Sequence, residues 1–238
     1  MIKIKRLGFI FVFFACFFTT GKINSQRVNK FDENKKRTGV WKKYYTNKRI
    51  RYVGQFKDGK EVGIFKFYDI TTSDYPVIIK SFFESSDSVF VQFYTISGKL
   101  ETEGILNERK RVGNWKYFYP DGALLSEENY KKGKLHGEQL NYYPEGQLTE
   151  FSVYKNGLLH GITSKYSSKE ILIEEVEYKN GKPNGVAKYF ELNGNLKETG
   201  VYKDGKRVGK WEYYLDGEIS SNDKKNSKKS TYSRNKEN

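Results

Sequence analysis

The sequence holds one cysteine, one methionine, two histidines and four prolines in 238 residues. A single cysteine excludes a disulfide framework and a cysteine-built metal site. His136 and His160 each precede a glycine, 24 residues apart. With no Cys or Asp cluster beside them, they fall short of the three or four ligands zinc takes. Aliphatic residues are also scarce, since the whole apolar fraction is 37% and aromatics supply much of it. That argues against a large α/β enzyme core built on Leu, Val and Ala. There is no Gly-x-x-x-x-Gly-Lys-Ser/Thr phosphate loop and no Gly-x-Ser-x-Gly elbow. Beyond the N-terminus, no stretch is long or apolar enough to span a bilayer as a helix.

What is plentiful is aromatic, glycine and base. The chain has 17 Phe, 19 Tyr, 3 Trp and 22 Gly, with a formal charge of +14. Aromatic content at that level argues against disorder of the body. Residues 1–25 read as a secretory signal peptide, with Lys3, Lys5 and Arg6 ahead of the apolar run Leu7 to Phe18 and a cleavage point near Ser25-Gln26. Phe13-Phe14-Ala15-Cys16 supplies an alternative, a lipid anchor at Cys16, although Phe replaces the expected Leu and apolar residues continue beyond the Cys. Removing residues 1–25 takes away four bases and no acid, so +14 becomes +10. Residues 26–36 read as a linker. Residues 221–238, with six bases and two acids among Ser and Asn, read as a disordered basic tail carrying +4.

The body, residues 37–220, is one repeated unit. Gly113, Gly137, Gly161, Gly185 and Gly209 recur every 24 residues, as do Gly39 and Gly63. Val89 stands where one leading glycine is missing, and two extra residues fall between Thr71 and Ser88. Eight repeats result. Counting from the leading glycine, the fifth position is aromatic throughout: Tyr44, Tyr68, Tyr94, Phe118, Tyr142, Tyr166, Phe190 and Tyr214. Asp121-Gly122, Asp216-Gly217, Asn156-Gly157, Asn180-Gly181 and Asp204-Gly205 are hairpin turn pairs. Between them run strand-forming segments such as Trp115 to Tyr119. The expected fold is all-β: an elongated antiparallel sheet of about eight stacked 24-residue β-hairpins, with about 16 strands that must twist.

Alternation along a strand puts the first, third and fifth positions on one face and the second, fourth and sixth on the other. The invariant fifth-position aromatics are expected to form the packed core. The opposite face, carrying Trp41, Trp115, Tyr117, Tyr189, Trp211 and Tyr213, varies between repeats and is the candidate binding surface. Packing against neighbouring hairpins is the alternative use of the same side chains.

Gly113-Asn-Trp-Lys-Tyr-Phe-Tyr-Pro-Asp-Gly122, with Leu125, Glu127, Tyr130, Lys131 and Gly133 after it, resembles the bacterial MORN-repeat variant. The resemblance covers nearly all of residues 37–217 and is weakest at 69–92 and 162–175. It implies an elongated hairpin array serving as a recognition or scaffold module, in a family that includes antitoxin or immunity-type members. The chain is also similar to choline-binding cell-wall repeats, but their period is nearer 20 and only three of the eight repeats here have a Trp.

No catalytic, cofactor-binding or metal site is expected. Glu127, Glu128, Glu174, Glu175 and Glu177 raise the thought of a glycosidase carboxylate pair, but they follow repeat-like strand and turn positions and read as solubilising acids. The expected function is that of an exported, non-enzymatic scaffold binding another protein. The alternatives are an antitoxin or immunity protein and a cell-envelope protein that binds glycan or anionic lipid. Basic residues among aromatics can bind single-stranded nucleic acid, but export argues against that partner.

Overall fold

The computed structural model describes residues 27–84 and 86–220. The signal segment 1–25 and the tail 221–238 lie outside the described residues. The described chain forms one open antiparallel sheet of 17 strands. The first, β1 (Lys30–Phe31), falls within the stretch read as a linker. The eight hairpins follow. They are β2 (Arg37–Tyr44) with β3 (Ile50–Lys57), β4 (Lys60–Tyr68) with β5 (Pro76–Phe82), β6 (Ser88–Tyr94) with β7 (Leu100–Asn107), and β8 (Lys110–Phe118) with β9 (Leu124–Lys131). The others are β10 (Lys134–Tyr142) with β11 (Leu148–Lys155), β12 (Leu158–Tyr166) with β13 (Leu172–Lys179), β14 (Lys182–Phe190) with β15 (Leu196–Lys203), and β16 (Lys206–Leu215) with β17 (Glu218–Ile219). Each strand pairs with the next in chain order. No helix among the described residues is long and apolar enough to cross a membrane.

The two turns of a repeat are different devices, except in the last, where Asp216 (51°) and Gly217 (83°) make the inner turn like those between repeats. The turn between repeats puts both central residues at positive φ, as at Asn156 (55°) and Gly157 (87°), which is the type I′ signature. Its glycine amide also reaches back across the hairpin, as Gly133 N–H donates to Arg111 O at 2.9 Å and Gly157 N–H to Leu135 O at 2.8 Å. The turn inside a repeat instead closes as Gly122 N–H donates to Tyr119 O and Tyr119 N–H to Ala123 O. Only its last residue, Gly122, has positive φ, which is a turn followed by a bulge. Asp121-Gly122 and Asn156-Gly157 are therefore not equivalent. The two inserted residues lie in the inner turn of the second repeat, which runs over 69–75 where its counterpart runs over 119–123.

The leading glycines are not turn residues. Gly113 and Gly137 lie inside strands at φ of 66° and 107° and coincide with breaks in register, such as the one between Leu135 and Gln139. They make bulges. Where Val89 replaces the glycine, the β5–β6 ladder runs without a register shift.

The core sits on the opposite face from the one expected. The deeply buried column consists of second-position residues: Phe65 (0% exposed), Val91 (0%), Trp115 (1%), Thr163 (3%), Ala187 (0%) and Trp211 (7%). The fifth-position aromatics are half-buried, and Tyr44 is 52% exposed. They pair across each hairpin end instead, Phe118 with Leu124 and Tyr142 with Leu148. The physical reason lies one strand away. Each large ring lies flat over a glycine of the preceding strand: Phe65 over Gly54, Trp115 over Gly104, and Trp211 over Gly200. A Cβ on those glycines would sit 2.2 to 2.3 Å from a ring atom. An arginine four residues before each Trp then covers the ring, at 4.9 Å for Arg37 over Trp41, 4.6 Å for Arg111 over Trp115 and 4.0 Å for Arg207 over Trp211. Each cation–π contact stabilises by about 0.5 to 2 kcal/mol. A single-layer sheet can bury a Trp in this way without a second layer.

Candidate binding face

All six candidate surface residues share one face, as alternation requires, but they do not present a uniform surface. Trp115 and Trp211 are core, with no ring face left for a partner. Trp41 is half-buried, edge-on to Phe31 and donating to Lys30 O at 3.1 Å. Tyr117, Tyr189 and Tyr213 are half-buried and tied into local networks. Arg111 donates to the Tyr117 hydroxyl at 2.8 Å, Tyr189 and Tyr202 hydroxyls meet at 3.3 Å, and Arg207 donates to the Tyr213 hydroxyl at 3.4 Å. Burial, followed by the Tyr130 hydrogen bond and the Glu128 charge, raises the Tyr117 pKa far above its usual range.

Between the two Arg–Trp–Gly blocks the same face changes character. The core column there reads Glu128, Gln139, Ser152, Thr163, Val176 and Ala187, each directly opposite the next across the ladder. The next column reads Asn141, Glu150, Lys165, Glu174, Tyr189 and Glu198. The third holds Tyr130, Tyr154, Tyr178 and Tyr202. Three consecutive outgoing strands thus carry Glu-x-x-x-Tyr: Glu150 with Tyr154 on β11, Glu174 with Tyr178 on β13, and Glu198 with Tyr202 on β15. A four-residue spacing keeps each Glu and Tyr on one face. Glu174 and the recurring tyrosines are visible in the sequence, but neither their pairing as Glu-x-x-x-Tyr nor the arginine before each Trp was read from it, although both recur at the 24-residue period.

The bonding is uneven along this window. Tyr130 donates to Glu128 Oε2 at 2.5 Å and is met by Arg111 at 3.1 Å. Arg207 binds Glu198 through both terminal nitrogens and reaches the Tyr202 hydroxyl at 3.4 Å. In the interval the arginine position is Leu135, Leu159 and Pro183, and the hydroxyls of Tyr154 and Tyr178 bond no described residue. Lys165 pairs with Glu174 at 3.1 Å. Burial alone would lower the Lys165 pKa, but the Glu174 hydrogen bond and charge outweigh it and raise the value. Glu128 accepts from Gln139 at 3.1 Å and Glu150 from Ser152 at 2.7 Å, so both carboxylates are bonded by neutral donors and neither forms an ion pair. Burial first, then the Glu150 and Glu128 charges, push the Tyr154 pKa up, which keeps its hydroxyl a donor.

The other face carries a polar ladder, with Gln92 on Glu103 at 3.0 Å and Lys188 on Glu175 at 3.3 Å. A shallow hollow at the hairpin ends is lined by Lys99, Leu100, Phe118 and Pro120. Among the described residues no group of three or more His, Cys, Asp or Glu converges. The Nδ1 of His136 takes the Asn156 amide at 3.4 Å, and that of His160 is buried without a partner.

The family model described as the MORN repeat variant matches residues 37–58, 111–132, 135–156 and 183–204. The chain carries MORN-variant repeats. Each matched segment of this MORN-repeat protein is nearly one hairpin plus the first residue of the turn that follows, as 111–132 runs from the second residue of β8 through β9 to Lys132. The structure shows further hairpins where no match falls. These are the second, with its longer inner turn; the third, with Val89 for glycine; the sixth, with Glu170 at the turn-glycine position; and the shortened last one. No curated protein matches the chain. Among solved structures it is similar to a chain described as "Crystal Structure of TarM", at 16% identity and a TM-score of 0.27, covering 43% of this chain and 20% of that one. So slight an overlap extends neither fold nor function.

Proposed function

We propose that this MORN-repeat protein is a non-enzymatic scaffold that recognises another protein along the face carrying Glu150, Tyr154, Glu174 and Tyr178. The reading rests on one observation: in the middle of the array, the ring-and-arginine device that fills this face elsewhere is replaced by tyrosines with unengaged hydroxyls, and the Glu150 and Glu128 carboxylates near Tyr154 form no ion pair. Half-buried tyrosines held by a rigid sheet are favoured recognition residues, because little side-chain entropy is lost on binding. Partner capture by the full chain tests it, with a Tyr154→Ala/Tyr178→Ala variant as control. A partner retained by the parent and lost by a folded variant supports the reading. Capture indifferent to the double substitution refutes it. Trp115→Ala is unsuitable as a control, since it removes core.

The proposal also places the protein outside the cytoplasm, on the three-part layout of residues 1–25. Intact mass of the exported protein tests that. A chain beginning near Gln26 supports signal cleavage, a lipid-bearing Cys16 supports the anchor, and an unprocessed chain retained in the cytoplasm overturns export.

A further inference from the structure

Tyr154 and Tyr178 occupy the same position in successive repeats, on β11 and β13, two strands apart. Two strand spacings amount to about 9.6 Å. A ligand running along the array, across the strands, therefore meets an equivalent tyrosine at about that interval. An extended peptide presents same-face side chains about 6.6 to 6.8 Å apart and falls out of step at once. A polyproline II helix turns once every three residues with a rise of about 3.1 Å each, so equivalent residues recur at about 9.3 Å. Its backbone carbonyls make no internal hydrogen bonds. They suit hydroxyl donors such as those of Tyr154 and Tyr178, which bond nothing in the described chain.

Charge adds the next element. The Tyr154 hydroxyl is close enough to feel both Glu128 and Glu150. Those two carboxylates are bonded only by the neutral groups of Tyr130, Gln139 and Ser152. Farther along, Lys165 and Arg207 already answer Glu174 and Glu198. Arg111 and Lys165 feel the Glu128 and Glu150 charges but form no ion pair with them, so the carboxylates without a direct cation partner lie at the Glu128 end of the tyrosine pair.

From this geometry we propose that the window from Glu128 to Tyr178 binds a basic, proline-rich peptide in the polyproline II conformation. Prolines three residues apart lie on Tyr154 and Tyr178, and an Arg or Lys beyond the first reaches Glu128 and Glu150. Flat aromatic rings are the established seat for such prolines, and the preformed helix loses little entropy on docking. The inference deepens the protein-recognition reading above and depends on it.

The test is titration of the full chain with peptides of repeated Pro-Pro-Arg triplets. Controls are Gly-Ser-Arg triplets of equal length and charge, Pro-Pro-Glu triplets, and chito- and cello-oligosaccharides. Pro-Pro-Arg is expected to bind about tenfold or more tightly than Gly-Ser-Arg, a difference of ~1.4 kcal/mol. Tyr154→Phe/Tyr178→Phe keeps the rings and removes the donors, and should weaken it several-fold. Glu128→Gln/Glu150→Gln should weaken it and flatten its salt dependence. Equal binding of the two basic peptides, absence of Pro-Pro-Arg binding, or preference for an oligosaccharide overturns the proposal. If partner capture still depends on Tyr154 and Tyr178 while Pro-Pro-Arg fails to bind, only the peptide chemistry falls. If capture is indifferent too, the recognition reading falls with it.

Discussion

At the scale of single residues, glycine has three separate duties in this chain, and they predict different mutational costs. Gly104 has an ordinary φ but lies under the Trp115 ring, where a Cβ would be 2.3 Å from a ring atom. Gly104→Ala must displace the ring and should cost about 1 to 3 kcal/mol. Gly113 has open space around it but a φ of 66°. Gly113→Ala should cost about 1 to 2 kcal/mol through backbone strain alone. Thermal or denaturant unfolding separates the two when combined with Trp115→Val, which should rescue the first substitution and leave the second unchanged. The converse case is Glu170, held at a φ of 60° where four corresponding inner turns have Gly98, Gly122, Gly146 and Gly194, and the first has Lys48 at 64°. Glu170→Gly should raise stability by about 1 kcal/mol, and a lowered denaturation midpoint would contradict this.

At the scale of the element, the unit of packing is a pair of facing residues on adjacent strands, one large and one small. Gly104 with Trp115 and Gly200 with Trp211 are the extreme form, and Val176 opposite Ala187 is the balanced one. Transplanting the balanced pair as Gly104→Val/Trp115→Ala should recover much of what either change loses alone. A double-mutant cycle with a coupling of about 1 kcal/mol or more is the expected result, and strict additivity would dismiss the pairing. This pairing explains what was readable beforehand and what was not. The hairpins, their number and the all-β class were legible, because every repeat needs its turn residues and strand formers at the same positions. The covered face was not. Period-2 alternation divides Trp115 from Phe118 but does not say which side is buried. That depends on Gly104, eleven residues earlier on another strand, and on Arg111, four residues before the ring. The leading glycines mark the repeat in the sequence, but the bulges they make show only in the ladder. The six candidate surface residues share one face, but Trp115 and Trp211 are interior, and the window of Tyr154 and Tyr178 was passed over because those tyrosines follow the repeat so regularly.

At the scale of the whole molecule, stability accumulates from neighbouring hairpins, with no central core to dominate it. Much of the packed surface is tyrosine, so alkali is its weak point. Tyr117, Tyr154, Tyr178 and Tyr189 all hold their protons above the ordinary value of 10.0, chiefly through burial. Their folded pKa values exceed the unfolded ones, so their contribution is full below about pH 10 and is lost as pH rises through the folded values. Phenolate absorbance and circular dichroism followed together against pH should show ionisation of these groups coinciding with loss of the sheet. Complete ionisation near pH 10 with the sheet intact would contradict the assignment.

The uninterrupted ladder at β5–β6 has a consequence for shape. Bulges sharpen the local right-handed twist of a strand pair, and every other long pair in the sheet has a register break. The β5–β6 pair is therefore expected to twist less than the others, with Val89 affecting the angle between the hairpins before it and those after it. Restoring a glycine there would rotate one end of the molecule against the other without altering a single residue of either.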